Sequence, residues 1–127
     1  MYELILLAIC VWREARGESL ACQEAVAWSI RNRAMQPSWW GDGYVQVILR
    51  PYQYSSFNSS DVNATKFPQS TDPSWSSCLG AAGAAYNATI PDPTGGATNY
   101  YDISIPAPSW AAEMTFTMQS ETLRFYR

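Results

Sequence analysis

The chain of 127 residues contains no histidine. That absence removes the Ser–His and Cys–His nucleophile systems, which rely on imidazole as general base. It also removes zinc sites of the histidine-rich hydrolase kind. Lysine is nearly missing too, with Lys66 alone. Charged residues make up 15%, the net charge is −3, and lysine and arginine form no cluster. Phosphate backbones are held by basic faces, so nucleic acid is not an expected partner. Acid–base chemistry falls to carboxylates, tyrosines and one lysine. The three cysteines, Cys10, Cys22 and Cys78, form no CxxC pair. They read as buried apolar thiols and allow at most one disulfide. Long hydrophobic runs are also missing. The apolar opening "MYELILLAICVW" is too short to span a bilayer. It carries Glu3 and lacks a basic n-region and a cleavage site. Neither a membrane partner nor a secretory leader is therefore expected, and the sequons at Asn58, Asn63 and Asn87 carry little weight.

What is present is a globular composition, 47% apolar, suited to one domain over residues 1–127. Apolar spacing predicts a helix over about 2–16, with Leu4, Ala8, Val11 and Trp12 inward and Gly17 at its left-handed stop. Ser19 is a natural N-cap for a second helix over about 20–35. On that helix Cys22, Ala25, Val26, Ser29, Ile30 and Arg33 trace one face, and Pro37 lies just beyond its end. "VQVILR" reads equally as a short helix or a strand. Residues from about 51 to 71 form a long polar loop, a feature usually functional or mobile. Asp72-Pro73 pairs an N-cap with an N1 proline for a helix to about Asn87. "ATNYYD", "MTFTM" and "TLRFYR" have strand composition, and the last two suit a hairpin through "QSE". The sum is an α+β domain, mainly helical, with a small antiparallel sheet last.

"WREARGES" holds two glutamates, Glu14 and Glu18, on either side of the expected helix end. In the last helical turn Glu14 meets free carbonyls, which disfavour the anion. Trp12 and other nearby aromatics are expected to desolvate it in the same direction. A carboxyl group kept protonated is what a general acid requires. Glu18 sits near the positive start of the next helix and is expected to ionise normally. The competing reading makes both ordinary surface glutamates, paired with Arg13, Arg16, Arg31 or Arg33. The 18 aromatics bear on the choice. Many fall in expected loops: Trp39, Trp40, Tyr44, Tyr52, Tyr54, Tyr100, Tyr101 and Trp110. Loop aromatics beside amides and hydroxyls stack on sugar rings, although core filling accounts for part of the set.

"WREARGESLACQEAVAWSIRNR" resembles the opening motif of the SleB/CwlJ-type cell wall hydrolases. "PYQYSSF", "DPTGGATNYYD", Trp110 and the closing "FYR" are similar to the remaining family elements, in the same order. The resemblance spans nearly the whole chain. It implies a lysozyme-like fold and cleavage of peptidoglycan glycan strands, commonly by lytic transglycosylation. It places the catalytic acid on Glu14, with Glu18 and Arg16 supporting. Gln53, Tyr54, Ser55, Thr98, Asn99, Tyr100 and Tyr101 become the expected substrate contacts. Where many relatives carry histidine, this chain has Asn99 and the "SETLR" stretch. The expected partner is the glycan strand, met by a monomer with neither metal nor cofactor. A catalytic domain alone, without leader or wall-binding domain, suits a phage endolysin made in the host cytoplasm and acting on the wall after release. Two alternatives stay open: a hydrolase in which Glu18 or Asp102 positions water, and a glycan-binding module without catalysis.

Overall fold

The computed structural model of the protein describes residues 2–51, 53–58 and 60–127, without the side chain of Ser55. Four α-helices come first: α1 (Tyr2–Ala15), α2 (Leu20–Met35), α3 (Gly43–Leu49) and α4 (Pro73–Tyr86). Three strands follow: β1 (Asn99–Asp102), β2 (Phe116–Ser120) and β3 (Leu123–Tyr126). The sheet is antiparallel in the order β1-β3-β2, with Tyr100 opposite Phe125. The expected mainly helical α+β class is the class observed.

The helix starts follow local chemistry. The Ser19 hydroxyl accepts from the Cys22 amide at 3.2 Å. The Asp72 carboxylate accepts from the Ser74 amide at 2.9 Å, and Pro73 occupies the first helical position. Each satisfies amides that the helix itself leaves without a partner. "VQVILR" resolves as the helix α3, burying Val47 and Ile48. The hairpin turns more tightly than "QSE", at Glu121 and Thr122, with Glu121 in the left-handed region at φ 51°. All three cysteines are free and buried.

Two expectations need correction. First, α2 is buried on more than one face. Gln23, Ala27, Trp28 and Ala34 are buried along with the expected set. The helix packs against α1, α3 and α4 at once, so it has little outward side left. Alanines at 25, 27 and 34 keep it slim enough for that.

Second, Gly17 is not the left-handed stop of α1, for it is not among the positive-φ residues. The helix end is closed instead by a buried amide. Gln23, 1% exposed, donates to the carbonyls of Ala15 and Glu18, each at 3.1 Å. Its own oxygen accepts from the Ser77 hydroxyl of α4. One side chain thus joins the end of α1, the start of α2 and α4. Replacing Gln23 by leucine strips donors from two carbonyls and should destabilise the fold by roughly 1–3 kcal/mol. Urea unfolding should show a lower midpoint with an unchanged slope; an unshifted midpoint would show the cap to be dispensable.

Candidate active site

A cleft of about 630 Å³ opens where α1, α2, the loops after α2 and α3, and the start of β1 meet. Glu14, in the last turn of α1, lines it together with Tyr54 and Tyr100. The Tyr100 hydroxyl donates to Glu14 Oε1 at 2.9 Å, joining residues 86 apart in sequence. Strand β1 carries Tyr100 inward, where its ring packs 5.4 Å from that of Phe125.

The neighbouring Arg13 takes the opposite task. It is buried and donates to the carbonyls of Ser56, Ala64 and Lys66. Its guanidinium also lies over the rings of Phe57 and Phe67, at 4.7 and 4.9 Å. This ties the long loop, expected to be functional or mobile, to the end of α1 at three carbonyls.

Arg33 builds the far wall. It is buried and donates to the carbonyl of Thr98 and, at 2.9 Å, to Gln53 Oε1. Its guanidinium faces the rings of Trp39 and Trp40 at 5.5 and 5.0 Å. The approach to β1 is fixed by Asp92, which accepts from the Thr94 and Gly96 amides and from Asn32. Gly95 and Gly96 take positive φ in that turn, a conformation glycine adopts without strain. Trp110, Glu113 and Met114 close the remaining rim.

Burial pushes the Glu14 carboxyl above its ordinary range. The Tyr100 hydrogen bond opposes that by favouring the anion, and Asp61 adds to it by repulsion. The raised direction matches expectation, but Trp12 is not its source. Trp12 points to the opposite flank, where its indole N–H donates to Asp72 and Ser74 and Arg16 stacks on its ring at 4.5 Å. Tyr54, Tyr100 and Cys10 lie close enough to Glu14 for its charge to suppress their own ionisation, on top of the burial that raises each of them.

Comparison with known proteins fits this geometry. The sequence profile of the family described as Cell Wall Hydrolase matches residues 17–126. The chain belongs to the cell wall hydrolase family. The matched span begins three residues after Glu14. Among solved structures, the catalytic domain of the germination-specific lytic transglycosylase SleB of Bacillus anthracis is similar in fold. It has a TM-score of 0.78 and 23% identity, over 98% of this chain and 93% of that one. The catalytic domain of the Bacillus cereus SleB protein gives 0.74 and 24%, over 98% and 89%. At such identity the likeness is one of fold, and that fold is the lysozyme-like one expected. A search of curated proteins found no match.

Within this cell wall hydrolase the expected site residues divide. Gln53, Tyr54, Thr98, Asn99 and Tyr100 line the cleft with Glu14. Tyr101 does not; its ring is taken up instead by Tyr126, on which it stacks, and by the edge of Trp110. Ser55 lies in a 3-10 turn, Ser55–Phe57, with its side chain outside the described set, and Tyr52 lies outside it altogether. Tyr44 is core, packed on Tyr86 at 5.3 Å.

Arg16 and Glu18 stand apart from the cleft. Glu18 does not ionise as expected; its carboxyl is raised by desolvation and by Glu121 beside it. Glu121 holds the start of α2 instead, accepting from the Ser19 amide at 2.8 Å. Glu18 and Glu121, together with Cys22, bring their ligand atoms within 4.8 Å of one another. The arginines offered as glutamate partners are engaged with carbonyls and rings: Arg31, for example, donates to the Tyr86 carbonyl at 3.0 Å. Sequence reasoning missed Arg33, Glu113 and Met114 as cleft residues. The one available signal was Arg33 on an otherwise apolar helix face.

Two outcomes follow from the Glu14 environment. Its folded pKa lies above the unfolded one, so the stability it lends is full at low pH and is lost as pH rises through the folded value. Glu14→Gln does not titrate, so its melting temperature should gain on that of the parent as pH rises from about 4. A constant gap across pH would contradict the raised carboxyl. Tyr100→Phe removes the donor that favours the anion, so carbon-13 NMR of the Glu14 carboxyl should show its pKa rise further. A fall would show that the hydroxyl does not stabilise the charge.

Proposed function

We infer that the chain cleaves peptidoglycan glycan strands between N-acetylmuramic acid and N-acetylglucosamine, as a lytic transglycosylase with Glu14 as its acid and base. One observation carries this reading: a half-buried carboxyl with a raised pKa, oriented by Tyr100, lining a cleft walled by tryptophans and amides. The protonated Glu14 gives its proton to the glycosidic oxygen as the bond to muramic C1 breaks. The resulting carboxylate then takes the proton of the muramic C6 hydroxyl, whose oxygen closes on C1 to form a 1,6-anhydro ring. No water enters, and the nucleophile is already tethered to the sugar. Burial favours the first step by keeping the acid protonated, and Tyr100 supports the second by stabilising the anion. Gln53, Thr98 and Asn99 supply the polar contacts for acetamido groups. Trp39, Trp40 and Trp110 offer faces for the sugar rings.

Hydrolysis by held water is the second reading, and Glu113 gives it its footing. Retaining and inverting glycosidases use a second carboxylate. Glu18 and Asp102 do not line the cleft, whereas Glu113 does, exposed on its rim. Action as a monomer belongs to the same proposal. An endolysin role, with synthesis in a host cytoplasm and action on the wall after release, rests on the sequence resemblance alone.

Mass spectrometry of purified peptidoglycan digested by the protein separates the readings. Fragments ending in 1,6-anhydro-muramic acid are expected. Fragments one water heavier and reducible by borohydride would identify a hydrolase, and free peptide stems would overturn glycan cleavage. Glu14→Gln should lose about two or more orders of magnitude in rate while staying folded. A folded variant that still clears peptidoglycan at the parent rate would remove Glu14 from the chemistry and leave a different catalyst to be found.

A further inference from the structure

Arg33 brings a cation to the cleft that Glu14 lines, in a chain whose net charge is −3. Arg33 is buried there, and among the described residues its partners are a carbonyl, an amide oxygen and two indole rings, none a carboxylate. Burying a guanidinium without an opposite charge is unfavourable, so neutral donors would fill these structural bonds at less cost. A second guanidinium stands nearby. Arg50 is exposed and sits over the Trp39 ring, 5.5 Å from its centroid. Trp39 is itself 54% exposed, leaving a large apolar surface open to solvent between two cations.

An indole flanked by two guanidinium groups suits a ligand that is part apolar and part anionic. A bare N-acetylglucosamine ring supplies no anion. Muramic acid differs through its lactyl ether, from which the peptide stem extends with its carboxylates. We propose that Trp39, Arg33 and Arg50 form a subsite for the carboxylate-bearing peptide stem, so that the cleft recognises substituted muramic acid and not the sugar backbone alone. Arg33 supplies a fixed charge, preset by Thr98 and Gln53. Arg50 supplies a mobile one at the rim, where long-range attraction also draws in an anionic strand. Holding the stem on this wall fixes which sugar faces Glu14 and in which direction the strand runs. The subsite rests on the glycan-cleaving reading and deepens it.

Binding by the Glu14→Gln protein tests the subsite without turnover. Affinity is measured in solution with stem-bearing glycan strands and with strands stripped of peptide by an amidase whose newly exposed lactyl carboxylates have been converted to amides, so that the stripped strands carry no anion. Stem-bearing material should bind more tightly. Adding Arg50→Glu should weaken that binding by about three- to tenfold more than binding to stripped strands, the size of a reversed surface charge contact. The excess should shrink at high salt. Arg50→Gln should fall between the two, and melting temperature checks that each variant is folded. Equal weakening on both substrates, or none, overturns the subsite while leaving a glycan cleft in place. No binding to either substrate, together with no cleavage by the parent chain, overturns the glycan reading and the subsite with it.

Discussion

Three consecutive side chains at the end of α1 fix the relation between helices, loop and cleft. A helix turns about 100° per residue, so Trp12, Arg13 and Glu14 necessarily point three ways. Trp12 reaches the capping group of α4 through Asp72 and Ser74. Arg13 gathers the carbonyls of the long loop. Glu14 is left facing Tyr100 in the cleft. If the last turn of the helix unwound, these directions would change and the carboxyl would lose its enclosure. The buried Gln23 amide that closes the helix is for that reason part of what positions the site, although it touches no part of the cleft.

The cleft places charged groups where folding alone would not. Glu14 is enclosed enough for its anion to be disfavoured, and Arg33 is buried against neutral partners. Both conditions work against stability, and both preset charge for a ligand. The rest of the domain offsets them by conventional means: a helical core around α2 and a sheet whose Phe125 is fully buried. Tyr100 mediates between these demands. Its ring packs with Phe125, and its hydroxyl moderates Glu14.

Features governed by near neighbours in sequence were legible. Ser19 and Asp72 cap helices three or fewer residues away, and the helix bounds followed from them. The inward carboxyl was legible too, because Glu14 falls in a last turn whatever the stop. Gly17 misled because a glycine after a helix permits a left-handed stop without requiring one. Glu18 misled because its neighbour Glu121, which takes the start of α2, lies 102 residues from Ser19. The pair Tyr100 and Tyr101 looked equivalent, and only packing decided which one faces the acid. Arg33 could be placed on a helix face, but nothing local said that indoles would surround it.

By itself the sequence narrowed the class of chemistry, since a chain without histidine leaves carboxylates, tyrosines and one lysine to move protons. It also determined three of the four helices, the N-caps of α2 and α4, and the hairpin. Tertiary structure decided which groups meet. The enclosure of Glu14 comes from Tyr54 and Tyr100, brought from separate segments, and the same two segments, with the Trp39–Trp40 loop, build the wall around Arg33. Local propensity acts over a few residues and can be read directly. Burial, and the pKa that burial sets, depends on packing between distant segments, so it existed only once the chain had closed on itself.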